Sequence, residues 1–214
     1  MRIITGSARG TKLATLDGDV TRPTTDRVKE ALFSMIQFDI EGRAVLDLFG
    51  GCGQLALEAL SRGAARATII DQSREATEII IENAKKTHLF DKCRVSTADY
   101  TSFIRGAAKR EKYDIVFLDP PYNTGLLPAS LKALSEGELF APGAYIVCET
   151  DCDIPVKAKR LRKDEDMAAE LILKDVFGGS ESLKNRFNVI RSALYGRTRI
   201  TLLTPKEDEE GSAE

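Results

Sequence analysis

Apolar positions follow two periods along this chain, and the two alternate from residue 44 onward. Short runs that are apolar on both faces are typical of strands in a parallel sheet, and apolar residues at helical spacing predict the helices that cover it. Because crossovers between parallel strands are right-handed, the pattern predicts a doubly wound α/β sheet. The predicted strands are 44–49, 68–70, 94–96, 114–118 and 144–148, and the predicted helices are 54–62, 74–86, 101–109 and 126–135.

The first 40 residues depart from this repeat. Two short β-like runs, at 2–5 and 11–13, flank a glycine-containing turn and predict a β-hairpin arm. Pro23 then breaks the chain, and the apolar positions from Val28 to Ile36 follow helical spacing. We therefore expect an N-terminal hairpin arm and a lead-in helix over residues 1–40.

The C-terminal part is less regular. A helical pattern is followed by two β-like runs, 188–194 and 198–203, whose short connection makes them antiparallel neighbours. The predicted sheet is therefore seven-stranded and mostly parallel, with an antiparallel C-terminal strand. The main domain is expected to span 41–205, with an extra segment at about 161–187, and the acidic residues 206–214 are expected to form a disordered tail.

Composition fits one globular domain, since 43% of the 214 residues are hydrophobic and 30% are charged. No apolar run approaches the ~20 residues of a transmembrane span, and the N-terminus lacks the apolar region of a signal peptide, so we expect a cytoplasmic protein. The four cysteines form no C-x-x-C pair and have only His88 as a nitrogen partner. We therefore expect reduced thiols and no metal site.

Charge is unevenly distributed behind a formal net charge of −2. Residues 206–214 hold one lysine and five acids, so the remainder of the chain is weakly positive. The first 16 residues carry Arg2, Arg9 and Lys12 and no acid. Because basic runs are often only solvated faces, charge alone leaves nucleic-acid binding open.

Four predicted strands end at an acid or just before one, and ligands of doubly wound sheets bind beyond the carboxyl ends of the strands. These acids are Asp47, Asp71, Asp99 and Asp119. The first strand leads into the glycine turn 50–53, where a ligand can approach the backbone and the start of a helix. A glycine turn of this kind also fits dinucleotide binding, and Asp71 could either accept ribose hydroxyls or cap the next helix.

The most specific feature is Asp119-Pro120-Pro121-Tyr122, which follows the fourth strand. Two prolines give a stiff turn with no donor N–H, so that the Asp119 carboxylate and the Pro120 carbonyl remain as acceptors. Two fixed acceptors can orient a planar amino group and direct its lone pair towards an electrophile. The Tyr122 ring offers a face on which a base can stack, a contact worth ~1–3 kcal/mol.

These residues resemble S-adenosylmethionine-dependent methyltransferases that act on exocyclic amino groups, and specifically the RsmD family of 16S rRNA guanine-N2 methyltransferases. The resemblance covers most of residues 1–150 and about 188–203, and the segment 21–33 is its longest and most distinctive part. Further segments that carry it are 1–6, 9–10, 45–49, 57–64, 119–122 and 195–198.

The resemblance implies methyl transfer from S-adenosylmethionine to the N2 atom of guanine 966, with S-adenosylhomocysteine as product and no metal. It implies a monomer that acts on 16S rRNA or the assembling small subunit, away from any membrane. The implied catalytic residues are Asp119, Pro120, Pro121 and Tyr122. The implied cofactor-binding residues are Asp47, Gly50, Gly51, Gly53, Asp71, Asp99, Arg22 and Thr24, and the implied rRNA-binding residues are Arg2, Arg9, Lys12 and Arg27.

Two departures from the family accompany this resemblance. The glycine turn reads Gly50-Gly51-Cys52-Gly53 where the family usually has Ala-Gly-Ser-Gly, a conservative change in size that should preserve the turn. The segment from about 161 to 187 is longer than usual. Three alternatives stay open: N-methylation of another RNA, DNA or protein amino group, an NAD-dependent oxidoreductase, and an inactive RNA-binding module. The oxidoreductase leaves the residues 119–122 unexplained.

Overall fold

A computed structural model describes residues 1–16, 26–152 and 165–206 of the chain. The strands are β1 Ala44–Asp47, β2 Arg66–Asp71, β3 Cys93–Thr97, β4 Tyr113–Leu118, β5 Phe140–Asp151, β6 Phe187–Tyr195 and β7 Thr198–Pro205. The helices are α1 Asp26–Met35, α2 Gln54–Ser61, α3 Arg74–Lys86, α4 Tyr100–Ala107, α5 Leu126–Glu136, α6 Glu165–Phe177 and α7 Glu181–Lys184, with a 3₁₀ turn at Phe90–Lys92.

The seven strands form one sheet in the order β3-β2-β1-β4-β5-β7-β6. Strands β1 to β5 pair in parallel, and β7 pairs antiparallel with both β5 and β6. The order reverses between β1 and β4, whose Asp47 and Phe117 are register partners. The loops that follow these two strands therefore lie side by side at the carboxyl edge of the sheet, where doubly wound folds bind ligands. The predicted fold class is confirmed.

Successive side chains of the central strands point to opposite faces, and both faces are buried. Val45 packs with α1, α2 and α3 on one face, whereas its neighbour Leu46 packs with α4, α5 and α6 on the other. The same alternation places Phe117 in the first layer and Leu118 in the second. This double burial explains why the strands read as continuous apolar runs in the sequence.

One carboxylate links the N-terminal segment to the sheet domain. Glu58 of α2 is fully buried, and its oxygens accept hydrogen bonds from the backbone N–H groups of Ile4 at 2.7 Å and Thr5 at 3.0 Å. The Arg62 guanidinium donates to the same carboxylate at 2.8 Å, and the buried Lys29 ammonium of α1 lies 3.5 Å away. Burial lowers the pKa of Lys29 below its usual value, and the Glu58 charge opposes that effect.

The predicted hairpin arm is not confirmed. A single antiparallel bridge joins Arg2 to Lys12, and neither run becomes a strand. The two runs do face each other, since the Ile3 N–H donates to the Thr11 carbonyl at 3.0 Å and the Leu13 N–H to the Met1 carbonyl at 3.1 Å. The pairing does not continue because the next N–H groups, of Ile4 and Thr5, donate to Glu58 of α2. The N–H groups of Ser7 and Ala8 donate to Ser61 at 2.8 and 3.0 Å, so these backbone groups are satisfied by a helix end and not by a partner strand.

The remaining expectations concern the C-terminal part and the surface. The extra segment contains α6, α7 and the start of β6, and its first residues lie outside the described ranges, as does the acidic tail beyond Lys206. All four cysteines are free thiols. In the described part of the chain, none of the helices is long and apolar enough to cross a membrane.

We expect Glu58→Ala to lower the free energy of unfolding by about 3–5 kcal/mol, since it leaves the buried Lys29 ammonium without its counter-ion and two backbone N–H groups without their acceptor. Urea unfolding followed by circular dichroism measures this change. Glu78→Ala is the matched control, because Glu78 also pairs with an arginine at i,i+4 spacing but is exposed, and it should cost less than about 0.5 kcal/mol. Equal losses in the two variants would contradict the role assigned to Glu58.

Candidate active site

The glycine loop between β1 and α2 is shaped by three glycines. Gly51 and Gly53 have φ angles of 57° and 79°, which side-chain-bearing residues rarely adopt, and Gly53 caps the start of α2. A Cβ atom on Gly50 would lie 2.5 Å from the Ile69 side chain, so the loop is packed directly against β2. Gly50 and Gly53 are buried against neighbouring side chains, whereas Gly51 is half-exposed with open space beside it, so the backbone at Gly51 can be approached by a ligand at the sheet edge.

Asp71, at the end of β2, is tied to this loop. Its Oδ2 accepts the Gly51 N–H at 2.9 Å and its Oδ1 accepts the Ser73 N–H at 2.8 Å. Ser73 itself is the N-cap of α3, through a hydrogen bond from the Ala76 N–H. Ser73, and not Asp71, is therefore the N-cap of α3. The Asp71 side chain is half-exposed beside the glycine loop.

Asp47, the last residue of β1, is 1% exposed, and its Oδ1 has no hydrogen-bond partner among the described residues. Burial raises the pKa of Asp47 to about 7, opposed by the N–H groups of Ala56 and Phe49 and reinforced by the Asp71 charge. A buried carboxylate oxygen without a donor is costly unless a ligand supplies one. Asp47 is therefore suited to receive an N–H or O–H group of a ligand held by the loop.

Asp99 lies at the same edge, after β3, but its local role differs from that of Asp71. It is the N-cap of α4 and accepts the N–H groups of Thr101 and Ser102 at 2.9 and 3.3 Å, together with the Thr101 hydroxyl. The Thr101 hydroxyl bond is the main cause that holds the pKa of this exposed carboxyl below its usual range. The sequence pattern located Asp99 at a strand end without revealing that it also starts a helix.

The turn 119–122 leaves β4 next to the glycine loop. Asp119 is half-buried, Pro120 is buried, and the Tyr122 hydroxyl donates to Glu149 Oε1 at 2.8 Å. Burial, followed by the charges of Glu149 and Asp119, raises the pKa of Tyr122 well above its usual value. The phenol therefore stays protonated and acts as a hydrogen-bond donor with an available ring.

Sequence reasoning missed Glu149, although the rule that found the other acids also applies to it. Glu149 lies near the carboxyl end of β5, the one predicted strand whose terminal acids were not considered. Together with Pro120, Pro121 and Tyr122 and with residues of α6, it lines a cavity of about 290 Å³, to which neither Asp119 nor the glycine loop contributes. In the described ranges, no group of histidine, cysteine or acidic residues is arranged to hold a metal ion.

The residues expected to contact RNA lie on the N-terminal segment and α1. Arg9, Lys12 and Arg27 are exposed, and Arg2 is exposed but pairs with Asp26 at 2.9 Å. Arg22 and Thr24, which were expected near the cofactor, lie outside the described residues. His88, which follows the end of α3, is exposed and far from the strand-end acids in the chain, so it offers no catalytic base.

The fold and the two adjacent turns define a Rossmann-like methyltransferase. Residues 1–170 match the family model described as Conserved hypothetical protein 95, and the chain belongs to that family, which is the RsmD family.

Individual relatives agree with this membership. YlbH of Bacillus subtilis (strain 168) is 39% identical over 155 residues, which are 72% of this chain and 84% of that protein. Ribosomal RNA small subunit methyltransferase D of Escherichia coli (strain K12) is 40% identical over 153 residues, which are 72% of this chain and 76% of that protein. The solved structure of yhhF from Escherichia coli has a TM-score of 0.75 at 32% identity and covers 96% of this chain and 98% of its own.

The raised pKa of Asp47 predicts a pH dependence of stability. The folded protein binds a proton that the unfolded chain releases near pH 4, so the contribution of Asp47 to stability falls as the pH rises from about 4 to about 7 and is level above that. Relative to Asp47→Asn, we expect the wild-type protein to lose about 2–4 kcal/mol across this interval. Urea unfolding of both proteins at several pH values measures the difference, and a pH-independent difference would contradict the prediction.

Proposed function

We propose that this protein transfers a methyl group from S-adenosylmethionine to the exocyclic N2 atom of guanine 966 in 16S rRNA. The observation that carries the proposal is the turn 119–122 at the end of β4, beside the glycine loop that follows β1. The name of the Escherichia coli relative, a small subunit rRNA methyltransferase, supports the choice of RNA.

The glycine loop fits S-adenosylmethionine on the chemistry of its donors and acceptors. The Asp47 oxygen that lacks a donor among the described residues is suited to the ammonium group of the methionine part, and the space beside Gly51 leaves room for it. Asp71 would accept the ribose hydroxyls and Asp99 the adenine amino group. When bound, the sulfonium of this cofactor supplies an electrophilic methyl group.

The chain's own contribution to the reaction is orientation. The Asp119 carboxylate and the Pro120 carbonyl would accept the two N–H groups of the target amine, which fixes its nitrogen and points the lone pair at the methyl group. The Tyr122 ring would stack on the guanine and keep its plane in the same position. Alignment of the reacting atoms can lower the activation free energy of methyl transfer by several kcal/mol.

A guanine in structured RNA has to leave its stack to reach this turn, which costs a few kcal/mol. Contacts with the surrounding RNA must offset that cost. Arg9, Lys12 and Arg27 are exposed and available for phosphates, whereas Arg2 would first have to leave Asp26. Arg22 and Thr24 are proposed to approach the cofactor or the target base.

The proposal includes a monomer that acts in the cytoplasm, where ribosomal subunits assemble. Its substrate is either free 16S rRNA or the assembling small subunit, and the assay below compares the two. Methylation of DNA or of a protein side chain, with none in rRNA, would overturn the assignment.

The decisive experiment incubates the protein with labelled S-adenosylmethionine and either free 16S rRNA or small-subunit particles, followed by mapping of the modified base. We expect label at one guanine, and we expect Asp119→Ala and Tyr122→Ala to lower the rate at least ~100-fold because the amine loses its alignment. The dissociation constant of S-adenosylhomocysteine should stay within about twofold, since neither side chain belongs to the glycine loop.

Asp114→Ala is the matched control for Asp119→Ala. Asp114 lies at the opposite end of β4, where it binds Arg43 and the Ala44 N–H. We expect it to reduce stability and to leave the turnover of folded protein near that of the wild type. Near-normal turnover by Asp119→Ala and Tyr122→Ala would show that the residues 119–122 form only a turn.

A further inference from the structure

The hydrogen bond between Tyr122 and Glu149 joins the turn after β4 to the end of β5. The donor hydroxyl and Glu149 Oε1 are 2.8 Å apart, and Glu149 is only 3% exposed. Tyr122 is half-buried, so one part of the ring remains accessible while its far end is fixed. The hydrogen bond therefore connects Tyr122, which is expected to stack on the target base, to the end of β5 within the sheet.

The position of Glu149 is determined by strands on both sides. β5 pairs in parallel with β4, and the register partners Leu118 and Cys148 place Asp119 and Glu149 next in line at the same edge. On the other side, β7 pairs antiparallel with β5 and sets Ile200 opposite Glu149. A carboxylate held in this way has little freedom to follow a moving partner.

The backbone end of the tyrosine is restrained as well. Pro120 and Pro121 fix two φ angles immediately before it, and the Thr124 hydroxyl donates to the Pro121 carbonyl at 2.6 Å. The hydroxyl oxygen lies on the long axis of the ring, so fixing the backbone and the hydroxyl sets the direction of that axis. The phenolic O–H also prefers to lie in the ring plane, so the direction of the acceptor favours one orientation about the axis. Without the hydroxyl bond, only the backbone end would be held.

We propose that Glu149 is a positioning residue for methyl transfer. Through the Tyr122 hydroxyl it fixes the axis of the aromatic ring at the position from which the ring stacks on the target base, beside Asp119 and the Pro120 carbonyl. This role rests on the proposed function, because it assigns the ring a base to stack on. A displacement of about 1 Å at such a site can cost on the order of 100-fold in rate.

Burial and the neighbouring charges keep the Tyr122 hydroxyl protonated near neutral pH, so its hydrogen bond to Glu149 is retained. Asp119 and Asp151 are further negative charges that act on the Tyr122 phenol, and both oppose its ionisation. Arg197 binds Asp151 at 2.6 Å, which leaves Glu149 as the acceptor of the hydroxyl. Glu149 therefore acts on a neutral phenol that remains a donor.

The test removes the bond from each side. Tyr122→Phe deletes the donor, Glu149→Ala deletes the acceptor, and Glu149→Gln keeps an acceptor oxygen on a side chain of the same length. On small-subunit particles, we expect the first two variants to lower kcat about 10-fold or more with an unchanged dissociation constant for S-adenosylhomocysteine. Their double variant should be no slower than the poorer single variant, since both remove the same bond. Glu149→Gln should restore most of the activity.

The chain contains a matched control at the other end of β4. There the hydroxyl of the buried Tyr113 donates to Glu111, at the edge opposite the site. Tyr113→Phe should leave kcat unchanged. The proposal is overturned if Tyr122→Phe has wild-type kcat, if Tyr113→Phe loses as much as Tyr122→Phe, or if the losses multiply in the double variant.

A measurement without RNA separates this proposal from the proposed function. In protein labelled with ¹³C at the tyrosine ζ carbon, the Tyr122 resonance, assigned with Tyr122→Phe, should shift in Glu149→Ala and stay near its wild-type position in Glu149→Gln. An unmoved resonance in Glu149→Ala, in protein that methylates rRNA normally, overturns the role of Glu149 alone. A wild-type protein that transfers no methyl group to small-subunit rRNA overturns the proposed function.

Discussion

The buried carboxylate of Glu58 is the interaction on which the arrangement of this molecule depends. It accepts hydrogen bonds from the N-terminal backbone, faces the Lys29 ammonium of α1 and binds Arg62 within its own helix. Because Glu58 lies on α2, which starts at Gly53, the same helix carries the glycine loop at one end and anchors the N-terminal segment along its side. A charge in this position is tolerated only because every partner is present.

The sheet could be predicted because its determinants are local. Successive side chains of each central strand, such as Val45 and Leu46, are buried on opposite faces of the sheet. Such a strand therefore appears in the sequence as a continuous run of apolar residues bounded by glycine or charged residues. The N-terminal segment could not be predicted in the same way. The backbone N–H groups of Ile4 and Thr5 donate to Glu58, more than 50 positions away in the chain. The buried pair of Glu58 and Arg62 has the same i,i+4 spacing in the sequence as the exposed pair of Arg74 and Glu78.

The candidate site was predictable in its location and only partly in its contacts. Strand ends place Asp47, Asp71, Asp99 and Asp119 at one edge, but whether each acid is capped, buried or bound to the backbone depends on the angles of the adjacent turns. Asp71 binds the N–H of Gly51 because that glycine has a positive φ, and Asp99 caps α4 because Thr101 follows it closely. Glu149 follows the predicted strand 144–148 and could have been found by the same rule, but its bond to Tyr122 depends on the pairing of β5 with β4, which sequence alone does not give.

The antiparallel strand β7 has a consequence for how the molecule can be handled. Its first residue pairs with Asp151 near the site, and its direction carries the chain back along β5, so that Leu203 pairs with Ile146. The described fold therefore ends at Lys206, on the edge of the sheet opposite Asp47 and Asp119. A fluorophore or surface tether attached at this end would leave the edge that carries the candidate site unobstructed, so the direction of β7 suits the protein to immobilised binding measurements.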